Sequence, residues 1–288
     1  MKQRWLVAIV GLPLLLLVLL ACPAWATMLL VCAIAGVAAY ELVHTVEKSV
    51  QPVVYGITIF CAVGQVLAAY LERKRYEAGD LLTAASAQAA PLDGLWVMPV
   101  VLLFGLFLYA VLHYGTDRAL PFAVLSAAAV GGAIFPTMYG CILLLRMDGS
   151  YGRLYVLAPF FIAFAGDSLA MYCGKWFGKK KLTPVSPNKT WAGFYGGIFG
   201  SVLGMLLFGL IGLRWLGYPA AYGKLALAGA AGNLAGQLGD LATSLIKREH
   251  GIKDYSRLFL THGGMLDRFD STLFIAPILY FFVHTGLI

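Results

Sequence analysis

Runs of about 18 or more apolar residues recur along this chain and constrain its fold more than any other feature. A run of this length is enough for an α-helix to cross a bilayer. Of the 288 residues, 60% are hydrophobic and the mean hydropathy is +0.81, which exceeds what a soluble domain buries. The runs are continuous rather than alternating, which excludes a β-barrel. The sequence therefore predicts an all-α polytopic membrane protein.

We expect about nine transmembrane helices, the first of them retained in the protein. The start of the chain resembles a secretory signal peptide, but its apolar stretch is long and a second span follows at once. The fifth span contains Pro136, so we expect it to be kinked or partly re-entrant. The predicted spans are approximately 5–22, 24–43, 52–71, 94–113, 119–145, 154–173, 191–213, 225–246 and 271–288.

Basic residues in the short loops predict the orientation. Loop 174–190 contains five lysines and no acid, and loop 247–270 is also rich in Lys and Arg. Two spans separate these loops, so both are expected on the cytoplasmic side, with a cytoplasmic N-terminus. Arg73-Lys74-Arg75 would then lie outside, so either a span between 94 and 173 is miscounted or these charges are tolerated there.

Polar content distinguishes the two parts of the chain. Residues 1–150 are predicted to form generic apolar helices, whereas 151–288, with cytoplasmic loops 174–190 and 247–270, hold the intramembrane polar groups and are the expected functional region. The net charge of +7 fits anionic lipid headgroups rather than a nucleic-acid partner. The five cysteines lie in or beside apolar runs and form no C-x-x-C, so we expect small hydrophobic residues.

The eighth span carries a polar stripe that continues into a basic pair. Its members fall on one face of a 3.6-residue period. A carboxylate within a span is costly and is usually paired, hydrated or functional. A hydrated cleft is favoured over a structural ion pair. The stripe consists of Asn233, Gln237, Asp240 and Ser244, followed by Lys247 and Arg248.

Residues 240–270 contain four Asp and five Lys or Arg in a chain that is only 12% charged. Asp267 and Asp270 face the same way if their turn is helical, although Asp270 also suits an N-cap. Gly263-Gly264 allow close approach of the backbone to a phosphate. His262 is either a phosphate donor or a solvated loop residue.

A second polar group lies around the sixth span. Asp167 and Ser168 lie within it, and the lysine-rich loop that follows is not a Walker A loop, because its glycine spacing is short. The segment Ser186-Pro-Asn-Lys189-Thr190 is rigid and bears a lysine where a span begins. With only hard oxygen ligands and basic residues, the expected metal is Mg²⁺ or Mn²⁺, with phosphoryl or nucleotidyl transfer as the chemistry.

These residues resemble the phosphatidate cytidylyltransferase family. The run Ser244-x-x-Lys247-Arg248-x4-Lys253-Asp254, followed by His262-Gly-Gly-x-x-Asp267-Arg268-x-Asp270, matches the spacing of the family signature. A second similarity covers Asp167 through Thr190. Together they span roughly 155–288. The chain departs from the family at Leu260-Thr261, Ala192 and Thr243, and the last two positions lack a carboxylate.

The resemblance implies that CTP and phosphatidic acid are converted to CDP-diacylglycerol and pyrophosphate, at the cytoplasmic face of the plasma membrane. It implies a metal held mainly by Asp240 and Asp267, with Asp270 and Asp167 nearby or holding a second cation. The expected catalytic residues are Asp240, Asp267, Lys247 and Lys253, and the expected substrate-binding residues are Ser186, Lys189, Thr190, Arg248, His262 and Arg268. A homodimer is compatible with the sequence.

Three other interpretations stay open at the level of sequence. A CTP-dependent lipid or prenol kinase would transfer the γ-phosphoryl group and release no pyrophosphate. An ion-coupled transporter would use Asp167 and Asp240 as coupling sites, although no inverted repeat is visible. An inactive relative would follow if Ala192 and Thr243 remove essential carboxylates.

Overall fold

A computed structural model describes residues 11–78, 93–259 and 263–288. Within them nine α-helices form, one at each predicted span, and no strand forms, so the prediction of an all-α polytopic membrane protein is confirmed. By length and composition, six of these helices, α2 to α7, are able to cross a membrane. The helices are α1 (Gly11–Ala21), α2 (Ala24–Val46), α3 (Pro52–Glu77), α4 (Asp93–Leu112), α5 (Phe122–Arg146), α6 (Gly152–Phe177), α7 (Trp191–Leu216), α8 (Tyr222–Glu249) and α9 (Met265–His284).

The chain forms two compact units. The first comprises Met1–Met147 and Tyr255–Leu266, and the second comprises Asp148–Asp254 and Asp267–Ile288. In the first unit α2 packs on α3 and α5, and α4 packs on α3. In the second unit α7 packs along α6 and also on α8. The five cysteines all lie in the described part of the chain and are free.

Helix α5 passes through Pro136 as one helix of 25 residues, so the expectation of a re-entrant segment is wrong. A turn of π-helix, Val130–Ile134, directly precedes the proline. Such a wider turn accommodates the missing N–H of proline without ending the helix. Gly131 at this turn lies against the backbone of Ala39 in α2, where a larger residue would force the helices apart.

The basic cluster at the end of α3 is balanced locally by acids. Arg73 and Lys74 pair with Glu77, and Arg75 pairs with Glu72, at distances of 2.8 to 3.6 Å. Arg73 also donates to the carbonyl oxygen of Met147, 3.2 Å away. The end of α3 and the end of α5 therefore lie together, as two intervening helices require. Each basic side chain of this cluster thus has an acidic partner nearby, and the side of the membrane on which the cluster lies stays a prediction.

Glycines determine how closely α6 and α7 approach. A methyl group at Gly200 would lie 2.5 Å from the carbonyl oxygen of Ala165, and one at Gly204 would lie 2.9 Å from that of Phe161. Gly232 of α8 similarly lies against Ile162. The small residues at helical spacing therefore serve packing. This close approach brings Asp167 of α6 next to the polar face of α8.

Candidate active site

A cavity of about 610 Å³ lies in the second unit, among α6, α7, α8 and the loop that joins α6 to α7. It combines acidic and basic side chains at its wall. Opposite charges that share one cavity suit a ligand with phosphate groups and a cation. The charged residues of its lining are Asp167, Lys175, Lys181, Lys189 and Asp240.

The loop before α7 is folded as a small hairpin that places Lys189. The N–H of Leu182 donates to the carbonyl oxygen of Lys189 at 2.9 Å, and the two ends join in an antiparallel bridge between Lys181 and Thr190. The hydroxyl of Thr190 accepts from the N–H of Gly193 at 3.1 Å and caps α7. Lys189 is thereby held at the helix start, with its ammonium 2.5 Å from a carboxylate oxygen of Asp240.

The polar stripe of α8 is built into a chain of hydrogen bonds. The Nδ2 of Asn233 donates to Ser201 Oγ at 2.8 Å, and Ser201 donates to the carbonyl oxygen of Ile162 at 2.8 Å. The Nε2 of Gln237 donates to Asn233 Oδ1 at 2.5 Å and to the carbonyl oxygen of Phe194 at 3.2 Å. Both amides line the cavity beside Asp240, so the stripe is oriented rather than loosely solvated.

Three carboxylates of the second unit lie close enough to repel one another. Asp240 acts electrostatically on both Asp167 and Asp270, and Asp167 also acts on Asp270. The positive charge of Lys189 offsets the repulsion at Asp167, and that of Lys247 offsets the repulsion at Asp270. Carboxylates that are partly desolvated and lie near one another favour a bound cation.

Asp267 lies in a different environment, against α8. Its carboxylate receives a hydrogen bond from the Lys247 ammonium at 2.7 Å, and their side chains are only 4% and 9% exposed. Asp267 is not among the residues that line the cavity. The cavity therefore groups Asp240 with Asp167 rather than with Asp267, and the sharing of one cation by Asp240 and Asp267 stays a prediction.

Helix α9 begins at Met265, six residues earlier than the predicted span. Asp267 and Asp270 are consequently inside the helix on the side that faces α8, where Thr243 donates to Asp270 at 3.5 Å. The interpretation of Asp270 as an N-cap is wrong for this reason. The apolar run alone predicted the helix start too late, because the first turn carries charged residues.

One predicted catalytic residue, Lys253, and several predicted substrate-binding residues lie away from the cavity lining. Lys253 and Arg268 are exposed, and Arg248 donates to the carbonyl oxygen of Ile252 at 3.1 Å. Ser186 also does not contribute to the lining, although its carbonyl oxygen accepts from the N–H of Lys189 at 3.0 Å. His262 falls outside the described residues.

Three polar residues at or behind the cavity were missed. Lys175 and Lys181 were interpreted with the other loop lysines as an orientation signal, and no role was predicted for Ser201. Only a helical wheel of α7 drawn against α8 would place Ser201 opposite Asn233. The lysines carry no sequence signal that separates them from their neighbours.

Among the described residues, no three His, Cys, Asp or Glu side chains form a ready metal site. The hard carboxylate oxygens around Asp240 nevertheless suit Mg²⁺, which proteins often hold by one or two carboxylates together with substrate phosphates. The residues fit a cation that arrives with a phosphate ligand.

The fold and the cavity together describe an all-α membrane protein that holds acidic and basic side chains in one site. The chain matches the model of the Cytidylyltransferase family over residues 2–285 and belongs to that family.

Curated relatives align with part of the chain. It is 41% identical to phosphatidate cytidylyltransferase of Bacillus subtilis over 138 residues. The aligned region covers 48% of this chain and 50% of the relative. The enzyme of the same name from Synechocystis sp. is 40% identical over 132 residues, which cover 46% of this chain and 44% of the relative. The enzyme of Staphylococcus aureus (strain COL) is 44% identical over 131 residues, which cover 45% of this chain and 49% of the relative. The chain spans about half the length of the curated relatives it matches.

Proposed function

We propose that this protein is a phosphatidate cytidylyltransferase, which converts CTP and phosphatidic acid to CDP-diacylglycerol and pyrophosphate. Membership of the cytidylyltransferase family and similarity to phosphatidate cytidylyltransferases support this reaction. The observation that carries the proposal is the placement of Lys189 on Asp240 in a cavity that also contains Asp167, Lys175 and Lys181. These side chains are the ones that a metal-bound triphosphate requires.

In the proposed reaction an oxygen of the lipid phosphate attacks the α-phosphorus of CTP in line. The new bond joins that oxygen to the α-phosphorus, the bond from the α-phosphorus to the β-phosphate oxygen breaks, and pyrophosphate leaves. A phosphate monoester is already a nucleophile, so no covalent enzyme intermediate is needed. Lys175, Lys181 and Lys189 neutralise phosphate charge and orient the triphosphate.

Asp240 and Asp167 would hold Mg²⁺ or Mn²⁺, with Asp270 close by. The ion supplies charge neutralisation and alignment of the triphosphate. Asp240 is positioned for this role by the start of α7, since the lysine that contacts it is the residue before the helix cap. Asp267 would act through Lys247, whose ammonium it orients.

The proposed location is the plasma membrane, with the cavity at the cytoplasmic face. The lysine-rich loop next to the cavity supports this orientation, because basic loops remain cytoplasmic. CTP would reach the cavity from water, while the lipid substrate would reach it from the bilayer.

Turnover by the purified protein in detergent tests the proposal. With CTP labelled at the α-phosphorus, label is expected in the lipid product and pyrophosphate is expected in equal amount. Activity should be lost with a chelator and return with Mg²⁺ or Mn²⁺. Label that enters the lipid only from the γ-position would identify a kinase instead, which the family membership does not favour.

A further inference from the structure

A buried carboxylate of the first unit holds the segment that leads into α9. Glu41 lies near the end of α2 and is only 2% exposed. Its carboxylate accepts from the N–H of Met265 at 3.0 Å and from the N–H of Leu266 at 2.9 Å. It also accepts from the hydroxyl of Ser256 at 2.6 Å. Three donors from one segment therefore converge on a single side chain more than 200 residues away in sequence.

The two amides belong to the first turn of α9. The first N–H groups of a helix have no partner within the helix and usually bond to a capping side chain that precedes it. Here the cap comes from another helix and carries a negative charge, which the positive end of the helix dipole favours. These three donors help to compensate for the burial of the Glu41 carboxylate.

The contact with Glu41 explains why two glycines, Gly263 and Gly264, precede α9. Gly263 has a φ of +82°, which favours glycine. Gly264 lies so close to Glu41 that a methyl group there would overlap the carboxylate. The N–H of Phe259 donates to the carbonyl oxygen of Gly263 at 3.0 Å, which closes the segment on itself. The described residues on both sides of 260–262 are thus fixed, directly or indirectly, by Glu41.

We propose that Glu41 is a positioning residue for the reaction, which sets where α9 begins and hence where Asp267 stands in its first turn. This inference rests on the proposed function. The carboxylate does not touch substrate. Its loss would leave two helix N–H groups unsatisfied and release Ser256 together with Gly263–Leu266.

Hydrogen exchange provides a test that does not depend on activity. In Glu41→Ala we expect amides 263–266 to exchange at least about tenfold faster, because their local opening costs less free energy. Glu41→Gln keeps the shape and should give a smaller increase. Glu47→Gln is the matched control, since Glu47 is a half-buried glutamate directly after the same helix and accepts hydrogen bonds from Ser49 instead. Unchanged exchange in both Glu41 variants would overturn the proposal.

Kinetics on the same variants separate positioning from a merely structural role. Per folded molecule, kcat should fall at least about tenfold while KM for CTP changes by less than about threefold, as expected for misplaced groups. Gly264→Ala should reproduce the loss, whereas Gly56→Ala, which meets no neighbouring atom, should not. Faster exchange with an unchanged kcat would overturn the role of Glu41. A wild type without turnover would instead overturn the proposed function, and exchange would still decide whether Glu41 holds the segment.

Discussion

At the residue scale, two lysines contact carboxylates in different surroundings. The side chains of Lys189 and Asp240 are 25% and 33% exposed and line a cavity, so a ligand is able to replace either partner. The pair of Lys247 and Asp267 is almost fully buried. The first pair is suited to exchange its partner for a phosphate or a cation, and the second is suited to fix α8 against α9.

Asp240→Asn should lower kcat at least about a hundredfold, which corresponds to about 2.7 kcal/mol of transition-state stabilisation. The amide keeps the shape but loses the charge that pairs with Lys189 and that we propose to bind a cation. The measurement is CDP-diacylglycerol formation at saturating CTP. Asp117→Asn, in an exposed loop, is the control and should retain full activity. A variant that keeps more than about a tenth of wild-type kcat would contradict the role of Asp240.

Lys247→Met should lower the free energy of unfolding by about 3–5 kcal/mol, because Asp267 would remain as a buried charge without its ammonium. The double variant with Asp267→Leu should lose less than the sum of the single losses. Unfolding by denaturant in detergent provides the measurement. Arg75→Met breaks an exposed pair with Glu72 and should change stability by less than about 1 kcal/mol. Equal losses of stability at the two ion pairs would contradict the prediction that burial makes the Lys247–Asp267 pair more important for stability.

At the scale of elements, the site depends on how closely helices approach. The glycine face of α7 lets its backbone reach that of α6, which brings Ser201 within 2.8 Å of the Ile162 carbonyl oxygen. The amides of Asn233 and Gln237 then complete the chain of hydrogen bonds towards α8. The close contact between α6 and α7 and the hydrogen bonds of Ser201, Asn233 and Gln237 thus depend on each other. Separation of the two helices would break the hydrogen bonds.

Gly200→Ala should destabilise the protein by about 1–3 kcal/mol, because the added methyl would press on the backbone of α6 at Ala165. Thermal unfolding in detergent, together with kcat, checks this. Gly223→Ala is the matched control, since no atom lies within 4 Å of the added methyl and Gly223 is also helical. Equal stability of the two variants would mean that α6 and α7 have room to separate.

At the scale of the whole molecule, contacts within each unit connect the ends of distant helices. Arg73 reaches Met147 in the first unit, and Tyr151 reaches the carbonyl oxygen of Gly217 at 3.4 Å in the second. Each contact joins chain positions that two helices separate. The pairing agrees with the predicted alternation of sides, because two crossings return the chain to the same face of a membrane.

Thiol labelling should place the lysine-rich loop in the cytoplasm. In a variant without its native cysteines, Lys180→Cys is exposed and should react with a membrane-impermeant reagent in inverted vesicles but not in intact cells. Ala220→Cys, in the loop after α7, is expected to show the opposite pattern. Reaction of Lys180→Cys in intact cells would reverse the proposed orientation and the location of the cavity.

The sequence by itself determined the helical membrane fold, the position of nearly every helix and the polar stripe of α8. These features depend on local hydrophobicity and on a 3.6-residue period, which the order of residues records directly. The start of α9 was misplaced, since hydropathy does not register a charged first turn whose N–H groups are satisfied by Glu41 from another helix.

Only the tertiary structure decided which charges meet. Nothing in the spacing of residues distinguishes Lys181 from Lys180, or associates Asp240 with Lys189 rather than with Asp267. The depth of a side chain and the identity of its neighbour depend on how helices pack, and packing follows from contacts between residues that are distant along the chain. The residue types of the candidate site were therefore predictable from the sequence, whereas the geometry of the site was not.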